Sequence, residues 1–181
     1  MSDDFPARVA GFRPGSRLAG YRLEELAGQG GMAQVFRARD ERLDRLVALK
    51  ILAPAQAADA GFRRRFIAES RAAAAVDDPH IIPIYEAGEA DGVLFIAMRF
   101  VPGGHLGDVL DRQGALPPDR VAGYISPVAS ALDAAHAVGL VHRDVKPANI
   151  LLDSHPHRPD HVYLSDFGIS KLTNLDSREV G

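Results

Sequence analysis

The sequence lacks cysteine altogether, which excludes a disulfide framework and a thiolate metal site and is typical of a protein in a reducing compartment. It also lacks an apolar run near the roughly 18 residues that a membrane-spanning helix requires. Its acidic start has no apolar core segment of the kind found in secretory signals. Charge of one sign is not in large excess, because 21 basic residues face 24 acidic ones for a net charge of −3, so nothing favours nucleic acid or an anionic membrane as a partner. We therefore expect a cytoplasmic protein, which a segment beyond Gly181 could still anchor to a membrane.

The chain of 181 residues is long enough for one ordinary domain, or for one lobe and part of another. Residues 1–17 contain prolines and glycines without periodicity and predict a flexible leader. Five strand-like runs follow, three before a helical segment and two after it, and they predict a five-stranded antiparallel sheet with one helix. The runs are YRLEELA, AQVFRARD, RLVALKIL, IIPIYEAG and VLFIAMRFV, and the helical segment is GFRRRFIAESRAAAAV.

After the glycines that follow Val101 the pattern becomes helical, in LGDVLDR and in residues 118–138. Pro127 lies inside the second helix, and because an interior proline costs about 3 kcal/mol it predicts a kink or a broken turn there. Strands with one helix, followed by helices, indicate an α+β protein of two lobes with a cleft between them.

Two charged residues stand among apolar neighbours. Alternation in LVALKIL puts Lys50 on the face of Ala48 and Leu52, and Glu69 lies in the middle of the apolar stripe of the helix. An isolated strand lysine would reach solvent along its stem. Because burying either charge alone is costly, we predict that Lys50 and Glu69 are partners.

The segment LAGQGGMAQV, residues 26–35, joins two predicted strands and is rich in glycine. Backbone amides in such a hairpin can approach a polyphosphate closely, although a plain glycine turn stays open as an alternative. A P-loop is excluded because no GK[ST] precedes a helix, and a dinucleotide fold is excluded because Gln34 to Asp40 reads as strand.

The stretch LVHRDVKPANILLD, residues 140–153, places polar groups inside an otherwise apolar run. Asp144 and Asn149 lie in it, and SDFG adds Asp166 after two further strand-like runs. Carboxylate and amide oxygens are the hard ligands that magnesium prefers, and magnesium accompanies phosphates. A lone DFG would indicate only a turn, but the combination predicts a magnesium-phosphate site.

Together these residues resemble the bacterial eukaryotic-like (Hanks-type) serine/threonine protein kinases. The matching motifs are the glycine loop with Gly28, Gly30 and Val35, VALK ending at Lys50, Glu69, HRDVKPAN from His142, and DFG from Asp166. The resemblance covers about residues 21–181. It implies a protein-kinase-like bilobal fold, with the N-lobe at 18–101 and the first part of a helical C-lobe at 102–181.

The resemblance also implies ATP and Mg²⁺ as cofactors and gives roles to individual residues. Asp144 would accept the proton of the substrate hydroxyl, and Lys146 would contact the γ-phosphate, which favours serine and threonine over tyrosine as acceptors. Asn149 would be both catalytic and, with Asp166, a magnesium ligand. The residues implied for nucleotide binding are Leu26, Gly28, Gly30, Gly31, Val35, Ala48, Lys50, Glu69, Met98 and Val101.

Some positions depart from the family pattern. His105 stands where a ribose contact is expected, and Asp108 could substitute for it. The turn before DFG is longer than expected and carries three histidines. A metal site is one reading of them, but their spacing by prolines on a surface loop favours solvated side chains. They are His155, His157 and His161.

The chain ends about where an activation loop would be under way, so we expect an incomplete domain that is poorly stable and weakly active alone. Thr173 and Ser177 are candidate phosphorylation sites. Self-association of the full-length protein for autophosphorylation is also expected. The predicted activity is ATP-dependent phosphorylation of serine and threonine hydroxyls on protein substrates. A small-molecule phosphotransferase and a nucleotide-binding regulatory fragment stay open as alternatives.

Overall fold

The computed structural model describes residues 11–30 and 32–167. Within these residues the chain divides into two compact units. The first unit takes the chain up to Ser70 together with Ile84–Phe100. The second unit takes Arg71–Pro83 together with the chain from Val101 onward.

A six-stranded antiparallel sheet forms most of the first unit, with the strand order β1-β2-β3-β4-β6-β5. The strands are β1 (Arg17–Leu18), β2 (Tyr21–Gln29), β3 (Ala33–Asp40), β4 (Arg45–Leu52), β5 (Ile84–Ala90) and β6 (Val93–Arg99). The five strands expected from the sequence are therefore present, and the sheet has one strand more.

The additional strand is β1, which lies at the edge of the sheet. Leu18 pairs with Tyr21 in β2, and the Gly15 amide donates to the Leu23 carbonyl at 2.8 Å. Phe12 packs against the apolar core. The residues predicted to form a flexible leader thus join the sheet from about residue 15, and a two-residue strand is too short to show the periodicity that would have predicted it.

One face of the sheet carries the apolar core of the first unit. Phe36 pairs with Leu49, and Ala38 pairs with Val47, so these side chains share that face. The buried cluster consists of Leu18, Tyr21, Leu23, Phe36, Ala38, Val47, Leu49, Ile51, Ala53, Val93, Phe95 and Ala97. Because successive strand residues alternate between faces, the residues between these members stand on the opposite face.

Two helices follow β4, where the sequence predicted one: α1 (Pro54–Ala57) and α2 (Ala60–Ala74). The short α1 has a proline in its first turn, a position where the missing amide hydrogen leaves no helical bond unmade. On α2 the apolar stripe is confirmed, since Phe62 and Phe66 are buried with ring centroids 6.3 Å apart. Ser70, fully buried, donates its hydroxyl to the Phe66 carbonyl at 2.7 Å.

The second unit contains α3 (Leu106–Gln113) and α4 (Pro118–Ala137). The broken turn predicted at Pro127 is absent, because α4 is helical throughout. The carbonyl that loses its helical donor to Pro127 belongs to Gly123, where a Cβ would meet nothing within 4 Å, so the backbone has room to adjust. The buried residues of α4 are Tyr124, Val128, Ala131 and Ala135.

An antiparallel hairpin completes the described part of the second unit, with strands β7 (Ile150–His155) and β8 (Arg158–Leu164). A 3₁₀ turn, Pro147–Asn149, leads into β7. Ile150 pairs with Leu164. Residues just before β7 and just after β8 therefore leave the hairpin at the same end.

Candidate active site

Four residues predicted to bind nucleotide stand on one face of the sheet in the first unit. The register pairs Val35 with Lys50 and Ala48 with Met98. Directly paired residues share a face, as do residues two apart in one strand. Val35, Ala48, Lys50 and Met98 therefore lie together on the face opposite the core. Met98 is buried, and the other three are half-buried.

The glycine-rich hairpin between β2 and β3 leaves its backbone uncovered. Gly28 pairs with Val35, and the Gly30 amide donates to the Ala33 carbonyl at 2.9 Å. A Cβ at Gly28 would meet nothing within 4 Å, and one at Gly30 would meet only the Ala33 carbonyl oxygen, at 4.0 Å. This open backbone suits close approach of a polyphosphate. Gly31, also predicted for this loop, lies outside the described residues.

The predicted contact of Leu26 with the nucleotide stays a prediction. Leu26 pairs with Phe36, a core residue, and is 40% exposed. A bulge between Leu26 and Gly28 shifts the pairing by one residue and leaves Ala27 without a register partner. An inserted residue of this kind changes which face of the sheet the residues beyond it occupy.

Lys50 and Glu69 are both half-buried, as expected for charges among apolar neighbours. Neither side chain is without a partner. The ion pair between them stays a prediction. Val101, predicted to contact adenine through its backbone, is half-buried and lies after the end of β6, where the chain enters the second unit again.

In the second unit His142 is 2% exposed and both of its ring nitrogens have backbone partners. Nδ1 accepts from the Asp144 amide at 3.2 Å, so Nε2 carries the hydrogen and donates it to the Ser165 carbonyl at 2.8 Å. The ring also packs on Phe167, with centroids 4.7 Å apart. Burial lowers the pKa of His142, and the bond to Ser165 offsets this only in part. A neutral imidazole thus fixes the backbone of Asp144.

Asn149 is buried and its side-chain amide is turned toward Asp144. Nδ2 donates to the Asp144 carbonyl at 2.8 Å and to its carboxylate Oδ2 at 3.2 Å. Both amide hydrogens are thereby used, and Oδ1 is directed elsewhere as an acceptor. The sequence-predicted pair is brought together by the loop and by the 3₁₀ turn that ends at Asn149.

Lys146 reaches back to the same carboxylate. Its Nζ lies 2.8 Å from Asp144 Oδ2, with the lysine side chain 51% exposed and the aspartate side chain 17% exposed. The cation is therefore accessible to an incoming ligand while it remains beside the carboxylate.

Asp166 follows β8 at the end of the hairpin where Asn149 precedes β7. The Ser165 amide and hydroxyl both donate to the Asn149 carbonyl, at 2.9 and 3.1 Å. Asp166 has φ 58° and Arg143 has φ 62°. A left-handed backbone costs a non-glycine residue on the order of 1–3 kcal/mol and persists where the surroundings impose it, often at functional sites.

The donor set fits a magnesium ion. Asn149 offers Oδ1 because its amide hydrogens are engaged by Asp144, and Asp166 offers a carboxylate one residue beyond the Ser165–Asn149 bonds. Magnesium is commonly held by one or two such oxygens together with waters and substrate phosphates. Within the described residues no group of three or more His, Cys, Asp or Glu side chains is arranged to hold a metal ion. The residues therefore fit a magnesium ion whose other ligands are substrate phosphates and water, and not an ion held by protein side chains alone.

Sequence reasoning did not single out Ser165, whose backbone and hydroxyl connect His142 and Asn149. In the sequence, only its position before DFG could have pointed to it.

His105 and Asp108, considered for a ribose contact, form a capping box at the start of α3: the Asp108 amide donates to His105 Nδ1 at 3.1 Å, and the His105 amide donates to Asp108 Oδ2 at 2.9 Å. Of the histidines predicted to be solvated, His161 is only half-buried, and its ring is also bonded to the Pro79 carbonyl at 2.8 Å.

A glycine-rich hairpin, a sheet lysine, an HRD loop and a DFG carboxylate are the recurring parts of the protein kinase fold. The chain belongs to the protein kinase domain family, whose model matches residues 21–180, and its similarities lie with the bacterial Hanks-type serine/threonine kinases.

Three of the similar proteins are kinases of Mycobacterium tuberculosis, two of them from strain H37Rv. The chain is 44% identical over 161 residues to the serine/threonine-protein kinase PknE, covering 89% of this chain and 28% of PknE. It is 44% identical over 173 residues to PknH, covering 96% of this chain and 26% of PknH. The crystal structure of the PknI kinase domain matches with a TM-score of 0.77 and 41% identity, over 88% of this chain and 64% of that one.

The chain thus spans about a quarter of the length of these curated relatives and somewhat under two thirds of the solved kinase domain. No helix among the described residues combines the length and the hydropathy needed to cross a membrane.

Proposed function

We propose that this chain carries the nucleotide-binding and catalytic residues of a kinase that transfers the γ-phosphoryl group of ATP to serine and threonine hydroxyls of protein substrates. The single observation that supports this most strongly is the double donation from the Asn149 amide to Asp144. It holds a carboxylate fixed as a proton acceptor and leaves an amide oxygen for a metal ion.

Phosphoryl transfer needs alignment and charge stabilisation more than covalent chemistry from the protein. Asp144 accepts the hydrogen bond and then the proton of the substrate hydroxyl. Lys146, 2.8 Å from that carboxylate, places a positive charge beside the phosphoryl group being transferred. Asn149 and Asp166 hold magnesium, which when bound neutralises charge on the phosphates.

The first unit contributes nucleotide binding. The open backbone at Gly28 and Gly30 faces the phosphates, and Lys50 pairs with their negative charge. Val35, Ala48 and Met98 form the apolar part of the same sheet face and pack against the adenine ring. These assignments rest on strand register and on the likeness to the kinase family.

Specificity for serine and threonine follows from Lys146, which occupies the position two residues after Asp144, and accords with the names of PknE and PknH. Protein substrates are the corresponding partner class. Self-association of the full-length protein for autophosphorylation belongs to the same proposal.

The variant Asp144→Asn tests the proposal. It retains the shape and an acceptor for the Asn149 amide but cannot take a proton, so transfer of labelled γ-phosphate to a generic protein substrate is expected to fall about 100-fold or more. Affinity for a fluorescent ATP analogue with magnesium is expected to stay within about twofold, since Asp144 is not a metal ligand.

The matched control is Asp133→Asn, an exposed aspartate on α4, which is expected to transfer phosphate as the wild type does. Transfer that persists in Asp144→Asn would contradict the assigned role. Nucleotide binding without any transfer in the wild type would instead favour the regulatory-fragment alternative, and transfer to a small molecule but to no protein would favour the small-molecule phosphotransferase.

A further inference from the structure

Two histidines outside the candidate active site interlock in the second unit. The His80 ring donates from Nδ1 to the Val162 carbonyl at 3.0 Å, and the His161 ring donates from Nε2 to the Pro79 carbonyl at 2.8 Å. Carbonyl oxygens accept only, so each of these nitrogens carries a hydrogen. Each ring therefore bonds to the backbone next to the other histidine, and we call His80 and His161 the histidine clasp.

The two rings of the clasp also pack against each other. Their centroids lie 4.9 Å apart with planes 24° from parallel, and the Tyr163 ring meets His161 edge-on at 4.5 Å. Among the described residues this pair is not part of a group of three or more side chains arranged to hold a metal ion. Their contacts join the segment before β5 to β8.

The clasp fastens the backbone at the place where β8 ends. Ile81 bridges Leu164 in parallel orientation, the Leu164 amide donates to the His80 carbonyl at 2.6 Å, and the Ile82 amide donates to the Leu164 carbonyl at 3.0 Å. Asp78 secures the other end of the segment by accepting from the His80 amide at 2.8 Å and from the Ser130 hydroxyl of α4 at 3.1 Å.

Leu164 is one residue from Ser165 and two from Asp166. Ser165 donates twice to the Asn149 carbonyl, so a shift of Leu164 moves the backbone of both candidate magnesium ligands. Asp166 has a left-handed backbone, which persists only where neighbouring contacts hold it. The clasp supplies such contacts on the side of β8 away from β7.

We propose that His80 and His161 are positioning residues that hold Asn149 and Asp166 in the geometry required by magnesium. The inference rests on the proposed function, since it concerns the metal of the same site. The clasp acts through the backbone of β8 and touches neither nucleotide nor metal.

The test measures binding of a fluorescent ATP analogue to the full chain with and without Mg²⁺. His161→Phe retains a stacked ring but loses the N–H donor. Its affinity without Mg²⁺ is expected to stay within about twofold of wild type, and the gain in affinity on adding Mg²⁺ is expected to shrink about three- to tenfold, in line with the effect of outer-shell changes on metal sites. His80→Phe is expected to do the same, and the double variant is expected to be no worse than either single one.

A rescue and a control separate positioning from general stability. His161→Gln keeps a side-chain N–H donor and is expected to restore part of the Mg²⁺-dependent gain, whereas His157→Phe, an exposed histidine of the same turn, is expected to bind as wild type does. If the clasp variants melted at lower temperature but kept the full Mg²⁺-dependent gain, the clasp would be structural only and the inference would be overturned. If the wild type bound no nucleotide at all, the proposed function would fail and the inference with it.

Discussion

His142 is buried and neutral, and its ring connects two backbone segments through hydrogen bonds. One ring nitrogen accepts from the Asp144 amide, and the other donates to the Ser165 carbonyl. A charged imidazole could not accept at Nδ1, because that nitrogen would carry a hydrogen. Burial, which lowers the pKa of His142, therefore favours the state that the two bonds require.

Because these hydrogen bonds require a neutral imidazole, the stability of the folded chain is expected to depend on pH. The pKa of His142 is lower in the folded chain than its unfolded value of about 6.5, so the unfolded chain binds the additional proton as the pH falls through that window. The free energy of unfolding is accordingly expected to decrease below about pH 6.5. Chemical denaturation at pH 7.5 and pH 5.5 measures the decrease, and His142→Gln, which cannot titrate, is expected to show a smaller one. Equal decreases in the two proteins would remove His142 from this role.

The sequence indicated that Asn149 and Asp166 lie near each other, because two strand-like runs that can form a hairpin stand between them. Asn149 precedes β7 and Asp166 follows β8, and a pair of strand-like runs between them is enough to bring their ends together. Leu26 was assigned to nucleotide binding by the resemblance, which carries no sign of the bulge after that residue. Ser165 escaped notice because its contribution lies in its backbone bonds.

At the scale of elements, the segment that leads into α3 lies directly on β7. The Leu152 amide donates to the Gly104 carbonyl at 3.0 Å, and His105 forms an isolated bridge with Leu151. A Cβ placed on Gly103 would collide with the Leu152 carbonyl oxygen. Only glycine allows the two backbones to approach this closely. The hairpin that carries the candidate metal ligands is thus packed against the start of α3.

Substitution of Gly103 by alanine is expected to lower the free energy of unfolding by about 2 kcal/mol or more, because backbone atoms on both sides must separate. Gly123→Ala is the matched control: it lies in the middle of α4, where a Cβ meets nothing within 4 Å. That variant is expected to gain about 1 kcal/mol from helix propensity. Denaturant titration of both variants measures the difference, and an equal change in the two would contradict the close approach.

Elements with a sustained pattern were predictable, and short ones were not. Strand-like runs of six or more residues located β2, β3, β4 and β6, the last as a continuous apolar run, and the helical stripe located α2. The strand β1 has two residues and α1 has four, which is too few for a period to show. A kink or a broken turn was expected at Pro127; the broken turn is absent because α4 continues through this residue, and the kink stays a prediction.

At the scale of the whole molecule, the second unit exposes several large apolar side chains. They are Val121, Ile125, Val138, Val141 and Val145. Apolar side chains exposed in this way lower solubility where they form a contiguous patch. The expectation that the 181-residue chain is poorly stable alone accords with this surface and stays a prediction.

The central proposal is that Lys50 and Asp166 each contribute to the binding of magnesium-bound ATP. Calorimetric titration with a non-hydrolysable ATP analogue, with and without Mg²⁺, tests it most directly in Lys50→Met and Asp166→Asn. Lys50→Met is expected to weaken binding about tenfold or more in both conditions, because it removes the charge that is proposed to contact the phosphates. Asp166→Asn is expected to bind normally without Mg²⁺ and to lose the Mg²⁺-dependent gain. Wild-type affinity in both variants under both conditions would contradict the account.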